Sequence, residues 1–350
     1  MTSAGRRERF APAAIEVIGL PAAVGQAIED EVARVSPPAL VRAAAELGRC
    51  YQEESGGRAV RFDSREARLA YVVARMPAIF RVNQLVYAEL GRSFPAIDIT
   101  NLLDLGCGPG SATLAARQIL GGLQSATLAD RDPEWLEISR RLVAASDPQL
   151  AAASRYTALD LCDAADLGEH DLVTVSYALG ELPPHSAGAL VQRAWNSARR
   201  AIVIVEPGTP HGFAVIIAAR DLLIAAQARI VAPCTQAERC PLAAAEDWCH
   251  FDTRVERTSR HRSIKSANRP YEIEKFSYLI AAREPPPTPP HAARIIRHPL
   301  KKSGHVVLDL CNSAGAAERS VISRRNKPLY RQARAAKWGG LWPPDSGEAS

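Results

Sequence analysis

The sequence predicts an α/β fold: a Rossmann-like parallel sheet, preceded by a helical region and followed by a small β appendage. Two observations carry this prediction. Short apolar runs alternate with helical patterns from residue 99 to residue 205, the order that builds a parallel sheet with crossover helices. The first run, Leu102-Leu103-Asp104-Leu105, ends in the glycine turn Gly106-Cys107-Gly108-Pro109-Gly110-Ser111, and a helix follows. Glycines at alternate positions let backbone approach a ligand, and a helix start offers free N–H groups. Such a turn also occurs with no ligand, so its surroundings decide.

Composition narrows the class. The 350 residues suffice for about two domains with real cores. At 47% hydrophobic and 23% charged residues, the chain is globular rather than disordered. No uncharged apolar run reaches about 18 residues, so no membrane span is expected. Residues 1–10 carry Arg6, Arg7 and Arg9 without the apolar core of a signal peptide, which favours the cytoplasm. There, seven cysteines read as thiols or metal ligands rather than disulfides. The net charge of +5 is unevenly spread. Residues 291–340 hold eleven Lys and Arg against Asp309 and Glu318, a local charge of +9 that leaves −4 for the remainder. A concentrated basic segment predicts a polyanion partner; the bland reading is a solvated tail.

Taken in order, residues 1–95 form the helical region, with helices at 15–35, 38–51, 65–75 and 78–90 from apolar spacing of three and four. Ser64 caps the third, with Glu66 in its first turn. Its apolar faces read as core, and Arg61, Arg65, Arg68 and Arg75 as a solvated face. Residues 96–284 form the central domain. Its strands fall at 102–105, 124–129, 155–159, 171–176, 200–205 and 275–282, with helices at 111–120, 133–145, 187–198 and 212–230. Residues 285–350 form the basic appendage and tail: a proline-rich linker at 285–290, short strands at 293–297, 305–310 and 319–323, and a basic helix at 329–337.

The acids define the ligand. Asp130 ends the second strand about twenty residues past the glycine turn, where a carboxylate accepts ribose hydroxyl protons. Asp160 ends the third strand, beside where a base would lie. The turn lacks the Gly-x-Gly-x-x-Gly spacing of dinucleotide folds, and Asp104 to Ser111 resembles the first motif of class I S-adenosylmethionine (SAM) methyltransferases. That resemblance implies a class I SAM-dependent methyltransferase fold with Gly106, Gly108, Gly110 and Asp130 lining the cofactor, and Asp104 and Asp160 beside them. Tyr177 and Glu181, past the fourth strand, would face the methyl group. Glu181-Leu182-Pro183-Pro184 lacks the aromatic of an Asn/Asp-Pro-Pro-aromatic motif, and Cys107 reads as a small residue in the turn.

A cysteine-rich insertion spans residues 231–251. Cys234, Cys240 and Cys249 follow a Cys-x5-Cys-x8-Cys spacing, and Cys311 ends a distant strand. Together they suit a four-thiolate site. Spacing does not choose between zinc and iron–sulfur; Pro233 and Pro241 beside two of the cysteines favour a cluster. His250 and His261 are alternatives to Cys311, and Cys50 and Cys162 read as core thiols. Arg254, Arg257, Arg260, His261, Arg262, Lys265 and Arg269 follow the insertion and would be presented to phosphates.

The second half as a whole is similar to one family. The cysteine loop, Asp247-Trp248-Cys249-His250-Phe251, Glu274-Lys275-Phe276-Ser277-Tyr278, Leu308-Asp309-Leu310-Cys311, and the ending Tyr330-Arg331-Gln332-Ala333-Arg334 with Trp338 and Trp342-Pro343 resemble the Rsm-twenty-two family of small-ribosomal-subunit assembly factors and their bacterial relatives. The resemblance implies SAM binding, a 4Fe–4S cluster on Cys234, Cys240, Cys249 and Cys311, and binding to the small ribosomal subunit through 16S-type rRNA. It places a bacterial-type member in the cytoplasm and a eukaryotic one in the mitochondrial matrix. Family members often carry Pro-His after the first cysteine, where this chain has Thr235-Gln236. Two functions stand: an assembly factor that holds its cofactors without reacting, and an active rRNA methyltransferase. The basic segment argues against a third, a small-molecule methyltransferase with structural zinc.

Overall fold

A computed structural model describes residues 19–53, 62–163, 165–265, 269–287 and 292–343. The expectations for residues 15–18, for Arg61, for residues 288–290 and for the tail beyond residue 343 lie outside them. Four helices come first: α1 (Ala22–Val32), α2 (Pro37–Glu53), α3 (Arg65–Ala74) and α4 (Met76–Ser93). Ser64 caps α3, its Oγ accepting the Ala67 N–H at 3.1 Å. Pro77 does not break the next helix but sits in its first turn, where a missing N–H costs nothing.

The central sheet alternates with helices: β1 (Asn101–Leu105), α5 (Ser111–Leu120), β2 (Ser125–Asp130), α6 (Pro133–Ser146), α7 (Pro148–Ala153), β3 (Arg155–Ala158), β4 (His170–Ser176), α8 (Pro184–Ser197) and β5 (Ala198–Pro207). Then come α9 (Pro210–Ala225), β6 (Arg229–Ala232), α10 (Pro241–Ala244), β7 (Phe251–Glu256), α11 (Ser259–Lys265) and β8 (Tyr271–Ala282). The strand order is β3-β2-β1-β4-β5-β8-β6, with β7 also on β8. The first five are parallel, whereas β8 runs antiparallel to β5, β6 and β7. This is the class I methyltransferase sheet. It is mixed rather than wholly parallel as expected, because β8 returns between β5 and β6. The helix expected over 212–230 stops at Ala225: Gln227 adopts φ +59 and the chain re-enters the sheet as β6.

Both faces of the sheet are covered, as a parallel sheet requires. Along β5, Ala201, Val203 and Val205 face the core shared with α1–α6, while Ile202 and Ile204 face the core under α8 and α9. That alternation is the two-residue period of a strand.

The last strands build a separate antiparallel sheet: β9 (Ala293–Ile295), β10 (Leu300–Lys301), β11 (His305–Asn312), β12 (Ala317–Ser323), helix α12 (Lys327–Ala335) and β13 (Leu341–Trp342). Its order is β10-β11-β9-β13, with β12 on β11. Val306, Leu308, Leu310, Ile322 and Trp342 form its core. Arg294 of β9, only 3% exposed, binds it to the rest. Its Nε donates to the Pro233 carbonyl, Nη1 to that of Gly339, and Nη2 to Glu89 of α4 at 2.8 Å. Among the described residues, no helix is long and apolar enough to cross a membrane.

Two of the expected surface cations, Arg68 and Arg75, are internal ties. Arg68 holds Asp132 at 2.7 Å, and Arg75 makes a two-pronged pair with Glu274 at 2.9 Å. Arg65 pairs with Glu31. The basic span after the cysteines is likewise committed: Arg254 to Glu256, Arg257 and Lys265 to Glu272, and Arg260 to Glu29. His261 is fully buried beside Glu272. β8 and α1 thus bring acids that are distant in sequence to Arg257, Arg260 and Lys265, while Arg254 and Arg269 stay exposed.

Candidate functional site

The first site lies at the carboxyl edge of the sheet, where open α/β folds bind ligands. A cavity of about 230 Å³ is lined by Asp104, Gly106, Cys107, Gly108, Asp130, Asp160, Tyr177 and Glu181, among others. The glycine turn is built for close approach. Gly106, Gly108 and Gly110 all have positive φ, at +70°, +49° and +81°. A Cβ on Gly106 would meet the Ala178 Cβ at 2.6 Å, whereas one on Gly108 would project into open space. A side chain there would fill the cradle a ligand needs.

The carboxylates have distinct jobs. Asp104 is 1% exposed, and its Oδ2 accepts from both the N–H and the Oγ1 of Thr113. It braces β1 against α5, and burial pushes its pKa up to about 6 against those hydrogen bonds. Asp130 accepts the Gly108 N–H on Oδ2 at 2.9 Å and the Asp132 N–H on Oδ1 at 3.0 Å. Each oxygen keeps a second lone pair for a ribose hydroxyl, and burial raises the Asp130 pKa. Asp160 accepts the Cys162 N–H at 2.9 Å. Tyr177 stands at φ +57 just past β4. Its hydroxyl donates to Glu274 at 3.1 Å, so it is oriented by the same carboxylate that holds Arg75.

The N-terminal region packs beside the glycine turn and closes the cavity through Phe62, Tyr71 of α3 and Ile79 of α4. Phe62, Tyr71 and Trp135 meet edge to face at centroid separations of 5.1–5.5 Å, and all three line it. Cys162 is exposed and lines this cavity, which corrects its reading as a core thiol.

The second site gathers Cys234, Cys240, Cys249 and Cys311 around a cavity of about 30 Å³. Four segments supply them: the loop after β6, the start of α10, the stretch before β7, and β11 of the small sheet. The Thr235 hydroxyl donates to the Cys311 carbonyl, and Ser277 of β8 to the Cys249 carbonyl at 2.8 Å. Burial pushes the Cys249 thiol well up, and the other three cysteines push it further; the Cys311 thiol is pushed up to about 12, mainly by burial. Neither alternative ligand lines the cavity: His250 stacks on Trp248, and His261 lies with Glu272. No group of three or more His, Cys, Asp or Glu side chains among the described residues is placed to hold a metal ion. What the four cysteines share is the lining of this cavity. Two buried guanidiniums, Arg220 and Arg294, complete its wall. Arg220 carried a signal that could have been read: it is a lone cation inside the apolar stretch Phe213 to Ala219 and Leu222 to Ala225, beside one acid, Asp221.

The sequence profile described as "Mitochondrial small ribosomal subunit Rsm22" matches residues 65–343. The chain belongs to the Rsm22 family. It is similar to the human "Ribosome assembly protein METTL17, mitochondrial", with 28% identity over 292 residues, 79% of this chain and 62% of that protein. It is also similar to "Ribosome assembly protein RSM22, mitochondrial" of Saccharomyces cerevisiae, with 22% identity across 40% of this chain and 38% of that one. The chain thus spans less than two thirds of either Rsm22 relative. Among solved structures, it resembles a magnesium protoporphyrin IX methyltransferase from Synechocystis PCC 6803, with 15% identity, 68% and 94% coverage of the two chains, and a TM-score of 0.39. Every motif that carried the family resemblance falls within the matched region.

Proposed function

We propose that this Rsm22-family chain is a SAM-binding, iron–sulfur assembly factor that binds small-subunit rRNA. One observation carries the reading: four cysteines from four separate segments line one cavity. Thiolates are the ligands that iron–sulfur clusters use, and among the described residues no three such side chains are placed on a single metal ion, as one zinc would require. Cys234, Cys240, Cys249 and Cys311 would hold it. In the first cavity, the backbone of Gly106 and Gly108 would face SAM, Asp130 would accept its ribose hydroxyls, and Asp160 would lie beside its base; Gly110, the third expected glycine, instead packs against Leu128, Ser139 and Val143. SAM supplies an electrophilic methyl group and the cluster a one-electron couple. The ribosome-assembly names of the human and yeast relatives and the family's small-subunit description support a small-ribosomal-subunit partner. Those relatives are mitochondrial; for this chain we infer the compartment of the ribosome it serves.

The second reading, an active rRNA methyltransferase, is favoured by the intact glycine turn with Tyr177 and Glu181 on the same cavity wall. Mass spectrometry of 16S-type rRNA from cells with and without the gene separates the two. The assembly-factor reading expects an unchanged methylation pattern; loss of one methyl group on deletion would sink it.

A further inference from the structure

Arg220 is a buried cation without a buried counter-charge. It lies in α9, 1% exposed, on the wall of the cysteine cavity. Its Nη2 donates to the carbonyls of Gln236 at 3.1 Å and Glu238 at 2.7 Å, clamping the loop between Cys234 and Cys240. Its Nε is buried and makes no hydrogen bond. Its ion-pair partner, Asp221, is 3.5 Å away and 68% exposed, so solvent screens that pair. Arg294, the other guanidinium on the wall, is different: Glu89 neutralises it at 2.8 Å, and its remaining donors are spent on the carbonyls of Pro233 and Gly339. Burying a charge and a donor without partners is costly, and such a group in a native fold calls for an explanation. The Cys234 thiol already interacts with Arg220, and an anion in the cavity, such as thiolates and the group they hold, would supply what is missing.

We propose that Arg220 is a positioning residue for the iron–sulfur cluster. Its Nη2 shapes the Cys234–Cys240 loop, while its charge and Nε–H compensate the anionic group that the thiolates hold. The inference rests on the cluster reading above. A four-thiolate cluster becomes more negative on reduction, and its potential follows local charge and hydrogen bonding. A buried cation beside it therefore favours the reduced state.

The test compares anaerobically purified wild type, Arg220→Gln, Arg220→Lys and a control, Arg239→Gln, at an exposed position in the same loop. The readouts are the midpoint potential, followed by electron paramagnetic resonance, the rise in Tm from metal-free to loaded protein, and iron loss to a chelator. Arg220→Gln is expected to lower the potential by at least tenfold in the one-electron equilibrium, about 59 mV, and to shrink the rise in Tm. Arg220→Lys keeps the charge and the potential but loses iron faster, because one ammonium cannot hold the two loop carbonyls and also place a donor where Nε lies. Arg239→Gln behaves as wild type. A purely structural Arg220 would lower both melting temperatures equally and leave the potential unmoved, which overturns the proposal. Should Arg220→Gln not fold, Arg220→Lys decides: a wild-type rate of iron loss overturns the clamp. A wild type without iron and sulfide would instead overturn the cluster reading itself.

Discussion

Gly106 shows most simply how one residue shapes the cavity at the carboxyl edge of the sheet. Its φ of +70 and the 2.6 Å approach of the Ala178 Cβ to any side chain there leave no room for alanine. Holding a non-glycine residue in that conformation costs about 1–3 kcal/mol, and each 1.4 kcal/mol is about tenfold in affinity. Gly106→Ala is therefore expected to weaken SAM binding at least about tenfold in isothermal titration calorimetry, with the far-UV spectrum retained. Equal affinity would show that the turn does not contact the ligand. The turn, Asp130 and the four cysteines were legible in the sequence because each is a residue type tied to a chemistry at a fixed spacing. Arg75, Arg68 and Arg260 were not, because their partners Glu274, Asp132 and Glu29 are 199, 64 and 231 residues away.

Between β4 and α8, the 3-10 turn Leu179–Glu181 forms part of the cavity wall, and Glu206 at the end of β5 holds it. Its Oε1 accepts the N–H groups of Leu179 and Gly180 at 3.0 and 3.2 Å. Burial raises the Glu206 pKa from 4.5 to about 8. Between those values the folded chain keeps a proton that the unfolded chain has lost, so this residue makes stability fall as pH rises through the window. Glu206→Gln retains an acceptor and has no such titration. Its Tm is expected to decline less than that of the wild type between about pH 5 and 8; parallel declines would contradict the buried neutral carboxyl. The long strand β8 was only half legible. Residues 275–282 form an apolar run, but its first half pairs with β7, whose mixed charge and lack of alternation gave no strand signal. That half carries Glu272 and Glu274, which is why the neutralised seam was missed.

The basic appendage looks different once it is folded. Arg294 is buried with Glu89, Arg297 pairs with Asp247, and Arg319 pairs with Asp309. Lys301, Lys302, Arg324, Arg325, Lys327, Arg331, Arg334 and Lys337 remain exposed on β10, the β12–α12 turn, α12 and just beyond it. Because the same sheet supplies Cys311 and Arg294, truncating it would dismantle the cysteine cavity and not merely remove charge. Reversing Arg324, Arg325 and Arg331 to Glu is the cleaner experiment. The triple variant is expected to bind small-subunit rRNA more weakly and with a salt slope shallower by roughly 0.7–0.9 per lost phosphate contact. An unchanged slope would place the RNA elsewhere. The whole molecule thus joins a methyltransferase sheet to a small β sheet, with the cysteine cavity at their junction. The most direct measurement of that account is the iron, acid-labile sulfide and zinc content of anaerobically purified protein, beside Cys234→Ser and Cys311→Ser. The account predicts about four iron and about four sulfide per wild-type chain, with both lost in each variant although the two cysteines lie on different sheets or loops. Stoichiometric zinc without sulfide, or iron retained by both variants, would contradict it.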